Sequence, residues 1–144
     1  MAKKPENVFR DSIHKYMTEN NPYHMKNNNG FVGGVADDWY SGNADDLWVE
    51  YKFIVLPKRG TTMIIPGLSK LQLEWCTNRY TEGRNIIIIT GCKEGGVVFE
   101  RPHEWIQGVT RKTFAEQMLT RKELATYIKR RVTVHDTLLD KSTS

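Results

Sequence analysis

Between Leu47 and Ile54 the chain alternates, with Leu47, Val49, Tyr51 and Phe53 on one side of an extended strand and Trp48, Glu50, Lys52 and Ile54 on the other. Glu50 and Lys52 therefore share a face. Val35 to Tyr40 is also strand-like, and residues 41–46 (SGNADD) are dense in turn formers, so the stretch from Gly33 to Phe53 reads as a hairpin. If the hairpin is symmetric about residues 43 and 44, Asp37 stands across from Glu50 and Asp38 across from Val49. Two carboxylates then lie side by side, next to a lysine.

Like charges opposed on a sheet, about 5 Å apart at Cβ, destabilise the pair unless something neutralises them. Carboxylate oxygens are hard ligands, so Mg²⁺, with Mn²⁺ as a substitute, fits better than zinc. Such an ion suits phosphodiester hydrolysis, in which Lys52 orients the nucleophile or stabilises developing charge. The alternative is a solvated edge hairpin, where E-x-K is common. Asp38 competes with Asp37 as a ligand. Strand parity favours Asp37, because Asp38 faces the core with Val49 and Tyr51; a β-bulge would reverse that choice.

The remaining elements read in order. Residues 5–19 form a helix with Pro5 in its first turn and Phe9, Ile13, Tyr16 and Met17 as an apolar stripe. Glu6 lies on the inward side, and is either an acidic residue suited to a helix N-terminus or a group reaching the carboxylate pair. A short strand, 23–26, leads into the glycine-rich approach 27–34, where Lys26 is placed to contact a phosphate. Lys58 and Arg59 lie in a loop, 55–67, that grips a DNA backbone, floats as a mobile surface loop or serves a subunit contact; extended character returns over 62–65. Residues 69–82 form the second helix, closed by Gly83, with Ser69 and Gln72 as a capping box and Leu68, Leu71 and Trp75 packing on the sheet. The all-apolar run 85–90 is a doubly buried strand, and 97–100 returns beside it. Residues 102–108 make a helical turn with Trp105 inward, 111–131 a single basic helix, and 136–144 a frayed tail.

Charge is uneven along the chain. Residues 101–131 carry eight Lys or Arg against three Glu, so this segment holds +5 of a net +4 and the rest sums to −1. Arg121, Lys122, Lys129, Arg130 and Arg131 make it a candidate surface for nucleic acid, the alternative being a helix with a cationic wet face. No apolar run approaches the length of a membrane span, and no signal peptide opens the chain, so a cytoplasmic protein is expected, in the host cytoplasm if viral. Cys76 and Cys92 form no C-x-x-C motif, and the four histidines are scattered; zinc is not expected.

Taken together, Glu6, Gly30 to Gly34, Gly34-Val35-Ala36-Asp37, Glu50-Tyr51-Lys52 and Leu68-Ser69-Lys70-Leu71-Gln72 resemble the PD-(D/E)XK nuclease superfamily and, within it, the virus-type replication-repair (VRR-NUC) branch. The resemblance covers about the first two-thirds of the chain. Ala36 stands where the family pattern has proline, and Asp38 where an apolar residue is common. It implies a restriction-endonuclease-like α/β fold, a mixed sheet flanked by helices, here with a basic C-terminal helix in one nuclease domain over 1–135 (core 5–100, helical extension 101–131). It also implies a Mg²⁺-dependent DNA endonuclease with Asp37 and Glu50 as metal ligands, Lys52 as catalytic lysine, and Glu6 and Gln72 as auxiliary site residues. Gln72 reaching the site competes with Gln72 in the capping box for one amide orientation. Compact phage-type members include homodimers that cut branched DNA such as four-way junctions, so DNA and a second copy are the expected partners. The rival readings are a non-catalytic nucleic-acid-binding protein and an inhibitor or interaction protein on the same fold.

Overall fold

The computed structural model describes residues 3–18, 22–27 and 33–133. The expected frayed tail and Asn28 to Gly30 of the glycine-rich approach lie outside them.

Strand β3 (Asp46–Phe53) is the centre of the molecule. On one side it pairs antiparallel with β2 (Asp38–Ser41), which pairs with the edge strand β1 (Tyr23–Lys26). On the other it runs parallel to β5 (Ile86–Gly91), and β6 (Gly96–Phe99) closes the sheet antiparallel to β5. The order is therefore β1-β2-β3-β5-β6. A parallel pair requires a crossover, and helix α2 (Lys70–Thr81) supplies it. The hairpin register matches the symmetric expectation: Asp38 opposes Val49, Trp39 opposes Trp48 and Ser41 opposes Asp46. No bulge intervenes, and all six residues of β5 are buried, as an all-apolar run between two covered faces should be.

Parity then sorts two cores. Helix α1 (Pro5–His14) and helix α5 (Arg121–Val132) cover the face that carries Tyr40, Val49 and Tyr51, with Phe9, Ile13, Leu124 and Ile128 buried against it. The opposite face carries Ile86 and Ile88 with Trp48, and is covered by α2, α3 (Pro102–Gln107) and α4 (Arg111–Gln117), which contribute Cys76, Trp105 and Phe114. The segment after residue 100 thus supplies packing to both layers as well as charge.

Three expectations are corrected. The first helix stops at His14, because Tyr16 and Met17 donate to Ile13 and His14 carbonyls in i→i+3 bonds that tighten the last turn; Tyr16 is exposed. The single basic helix over 111–131 is two helices. Met118 is extended, Leu119 exchanges backbone hydrogen bonds with Gly96, and Thr120 with Glu123 starts α5 through a full capping box. Leu71 does not pack on the sheet; it is exposed beside Gly33, whereas Leu68 and Trp75 do pack. The extended character near Thr62 resolves into a two-residue strand, β4 (Met63–Ile64), paired with β7 (Val109–Thr110).

Candidate active site

Asp37 is the residue at which the chain leaves the β2–β3 ladder. Its carbonyl accepts from Asn27 N–H at 2.7 Å, and its side chain substitutes for the next ladder partner, with Oδ2 accepting from the Tyr51 amide at 3.1 Å. This fixes the carboxylate beside Glu50, one register step beyond the Asp38 and Val49 pair. Glu50 is 1% exposed, and its Oε1 is buried without a hydrogen-bond partner. Burial first, and the charge of Asp37 second, push the Glu50 carboxyl up to about 9. Burial raises Asp37 as well.

The helix beyond the crossover completes the cluster. Ser69 caps α2 by accepting from the Gln72 amide at 3.1 Å, and Gln72 Oε1 accepts from Ser69 N–H at 2.9 Å. The same oxygen also accepts from Lys52 Nζ at 2.9 Å, and Gln72 Nε2 donates to Glu50 Oε2 at 3.1 Å. Capping and reaching the carboxylate pair were expected to compete for one amide orientation. They use the same one, because the oxygen's two lone pairs serve Ser69 and Lys52 while the nitrogen faces Glu50. Lys52 Nζ lies 3.6 Å from Glu50 Oε2. One turn along α2 from Gln72, the buried thiol of Cys76 is pushed up to about 12 by burial and by the charges of Glu50 and Asp37, so it stays neutral.

Gly34 explains how loop and helix meet. Its φ is +85°, and a Cβ there would collide with the carbonyl of Leu71, at the start of α2. The loop carrying Asp37 can lie this close to Gln72 only without a side chain at that position.

Glu6 is part-buried in α1 and makes no hydrogen bond or ion pair among the described residues, so Asp37, Glu50, Lys52 and Gln72 are brought together and Glu6 is not joined to them. The expected DNA contacts separate by environment. Lys26, Lys58, Arg59, Lys122, Lys129 and Arg130 are exposed. The loop bearing Lys58 and Arg59 is tied down on both sides, with Arg111 Nε donating to Pro57 O at 3.1 Å and the Lys112 amide to Gly60 O at 3.0 Å. Arg131 is held over the Tyr127 ring, and its Nη1 donates to the Tyr127 hydroxyl at 2.8 Å. Arg121 is committed inward: it donates to Ser12 Oγ at 2.8 Å and to the carbonyls of Lys93 and Cys92, and lies over the Phe9 ring.

Asp38 faces the opposite side of the sheet and is fully buried there. It meets three residues there: Arg10, whose Nη1 is 3.6 Å from Oδ1, and His24 and His14, whose Nε2 atoms lie 2.6 and 3.8 Å from Oδ2. Burial, then the neighbouring His24, push His14 down to about 4. The signal was the i, i+4 spacing of Arg10 and His14 on the helix face next to Phe9 and Ile13, overlooked because both residues are polar.

The Asp37 and Glu50 pair fits a divalent cation. Two adjacent carboxylates, one buried with an oxygen lacking any donor, have Lys52 as a cationic neighbour, and Mg²⁺ is commonly held by one or two carboxylates with waters completing its shell.

No family model matches the chain, and no curated protein sequence matches it. Among solved structures it is similar to Hjc from Archaeoglobus fulgidus, a Holliday junction resolvase from an archaeal hyperthermophile, with a TM-score of 0.51 and 13% identity over 85% of this chain and 98% of that one. The five-stranded mixed sheet flanked by helices is thus the restriction-endonuclease-like fold expected from the sequence. No helix among the described residues is long and apolar enough to cross a membrane.

Proposed function

We propose that the protein is a Mg²⁺-dependent DNA endonuclease of the PD-(D/E)XK type, from the phage-type VRR-NUC branch, acting on branched DNA such as a four-way junction. The observation that carries the reading is the Gln72-bridged cluster, in which Glu50, buried with an unsatisfied oxygen beside Asp37, shares one amide with Lys52. A binding protein gains nothing from that arrangement, because two adjacent carboxylates, one of them buried, destabilise the fold and do not attract DNA.

Asp37 and Glu50 would hold the ion. Bound there, Mg²⁺ polarises a phosphoryl oxygen and lowers the pKa of water. Mn²⁺ is expected to substitute. Lys52 is held by Gln72 Oε1 with its ammonium 3.6 Å from Glu50 Oε2, where it donates to charge building on the phosphoryl group. Gln72 limits the freedom of both catalytic groups, and its own orientation is fixed by the helix cap. The exposed Lys58 and Arg59 loop, with Lys26, supplies phosphate contacts that position the substrate, and Lys129 and Arg130, on α5 across the sheet from Glu50, hold DNA that extends beyond the site. The junction preference rests on the likeness to Hjc, a Holliday junction resolvase. A homodimer would offer two sites to two strands.

The test is cleavage of labelled four-way-junction, duplex and single-stranded DNA with Mg²⁺ or EDTA. Metal-dependent cutting with the junction preferred supports the whole reading. Cutting of duplex and single strands alike retains the nuclease and removes the junction preference. Tight binding of every substrate without cleavage replaces it with a non-catalytic DNA-binding protein.

A further inference from the structure

We propose that His14, His24 and Asp38 form a second metal site, selective for a transition ion of the Zn²⁺ class, on the face of the sheet opposite Glu50. One ring nitrogen of each histidine and a carboxylate oxygen of Asp38 lie within 4.8 Å of one another, and they form the one such group of three potential ligands among the described residues. Both imidazoles address the same oxygen, Oδ2, from different elements: His14 from α1 and His24 from β1, with Asp38 on β2 between them. Two nitrogens and one carboxylate are the donor set of a three-ligand zinc centre with an open fourth position; Mg²⁺ prefers an all-oxygen shell.

The neighbouring groups leave room for an ion. Arg10 approaches the other carboxylate oxygen at 3.6 Å, and Oδ1 still has no hydrogen-bond partner, so Oδ2 is free of the guanidinium. The Tyr40 hydroxyl lies 2.6 Å from His14 Nε2, yet it is also hydrogen-bonded to the Tyr51 hydroxyl and keeps that partner when His14 turns to a metal. The cost is three hydrogen bonds, from His24 to Asp38 Oδ2, from the Tyr40 hydroxyl to the same Oδ2 at 3.4 Å, and between that hydroxyl and His14 Nε2, which coordinate bonds through the ligand atoms replace. Access exists because the His14 and His24 side chains retain 21% and 28% of their exposure, while Asp38 retains none.

The cluster is separate from the nuclease pattern. Asp38 occupies a position where the family resemblance leads to an apolar residue, so the buried carboxylate calls for its own explanation. An ion there would tie α1 and the edge strand β1 to β2, next to the point where Asp37 leaves the ladder, and its binding energy would add to folding stability.

The test uses full-length protein stripped of metal and titrated with Co²⁺, following visible absorption, then with Zn²⁺. Wild type, His24→Ala, His14→Gln and Glu50→Gln are compared, each checked for a cooperative melt. The proposal expects low-coordinate Co²⁺ absorption that saturates at one equivalent, is displaced by Zn²⁺ but not by excess Mg²⁺, disappears in both histidine variants and survives in Glu50→Gln. Zn²⁺ should raise the melting temperature of wild type and of Glu50→Gln alone. Absence of the absorption in wild type, its persistence in either folded histidine variant, or its loss in Glu50→Gln would overturn the proposal. The last outcome would assign the ion to the carboxylate pair.

Discussion

Replacing Glu50 with glutamine removes a carboxyl whose ionisation the metal-free fold strongly opposes. The side chain is almost fully buried, Oε1 has no donor, Asp37 is beside it, and its carboxyl is pushed from 4.5 up to about 9. Below about pH 4.5 the group is protonated in folded and unfolded chains alike and contributes no difference. Between there and about pH 9 the unfolded chain releases the proton while the folded protein retains it, so stability declines as pH rises. At pH 7 the gap is about 2.5 pH units, and at about 1.36 kcal/mol per unit the wild type is less stable than a neutral isostere by about 3 kcal/mol. Glutamine cannot ionise, and its amide can accept from Gln72 and donate to Asp37. Urea denaturation of metal-stripped proteins should therefore show Glu50→Gln more stable than wild type by roughly that amount near neutrality, with the gap closing toward about pH 4.5 and widening toward about pH 8.5. Millimolar Mg²⁺ should stabilise wild type and leave Glu50→Gln unchanged. A difference between the two proteins that is flat with pH, or a variant less stable than wild type at pH 8, would refute the argument that Glu50 is a buried carboxyl strained by Asp37.

Other perturbations separate scaffold from site. Gly34→Ala should cost about 2 kcal/mol or more in denaturation experiments, from the positive φ and the collision with Leu71, and cleavage should fall as Asp37 moves away from Gln72. Gln72→Ala removes one side of the α2 cap and the bridge to Lys52, so a stability loss of about 1 kcal/mol should accompany a roughly 10- to 100-fold drop in cleavage rate. Arg121→Ala should destabilise the protein by about 1–3 kcal/mol in thermal or urea melts, because its guanidinium serves Ser12, Lys93 and Cys92. Lys129→Ala with Arg130→Ala should instead leave stability within about 0.5 kcal/mol while flattening the salt dependence of DNA affinity by about two.

The hairpin shows why part of this was legible. A period of two, a turn-rich centre and no bulge leave a single register, and that register alone predicts Asp37 beside Glu50 and Asp38 in the core. The capping box at Ser69 was equally readable, because its signal is local. The break at residue 118 was missed although Thr120 and Glu123 spell the same box: the apolar spacing of Phe114, Met118, Leu124 and Ile128 fits one long helix, and the competing backbone partner, Gly96, lies over twenty residues away. Likewise no spacing rule joins His14, His24 and Asp38, which meet only after α1 and β1 pack on β2. Absence of zinc was inferred from scatter along the chain, and scatter in sequence is not separation in space. Gln72 in two roles followed from atom-level geometry that a sequence pattern does not contain.

The proposed catalysis belongs to the Asp37 face of the hairpin and not to the Asp38 face. Cleavage of junction DNA in Mg²⁺ by Asp37→Asn and Asp38→Asn, side by side with wild type, tests it most directly. Asp37→Asn should fold, bind DNA and lose cleavage by about 10³-fold or more, the equivalent of about 4 kcal/mol of transition-state stabilisation. Asp38→Asn should melt lower, having disturbed the contacts with Arg10 and His24, yet still cut below its melting temperature. Full activity in Asp37→Asn, or a folded Asp38→Asn that binds metal and DNA without cutting, would contradict the assignment.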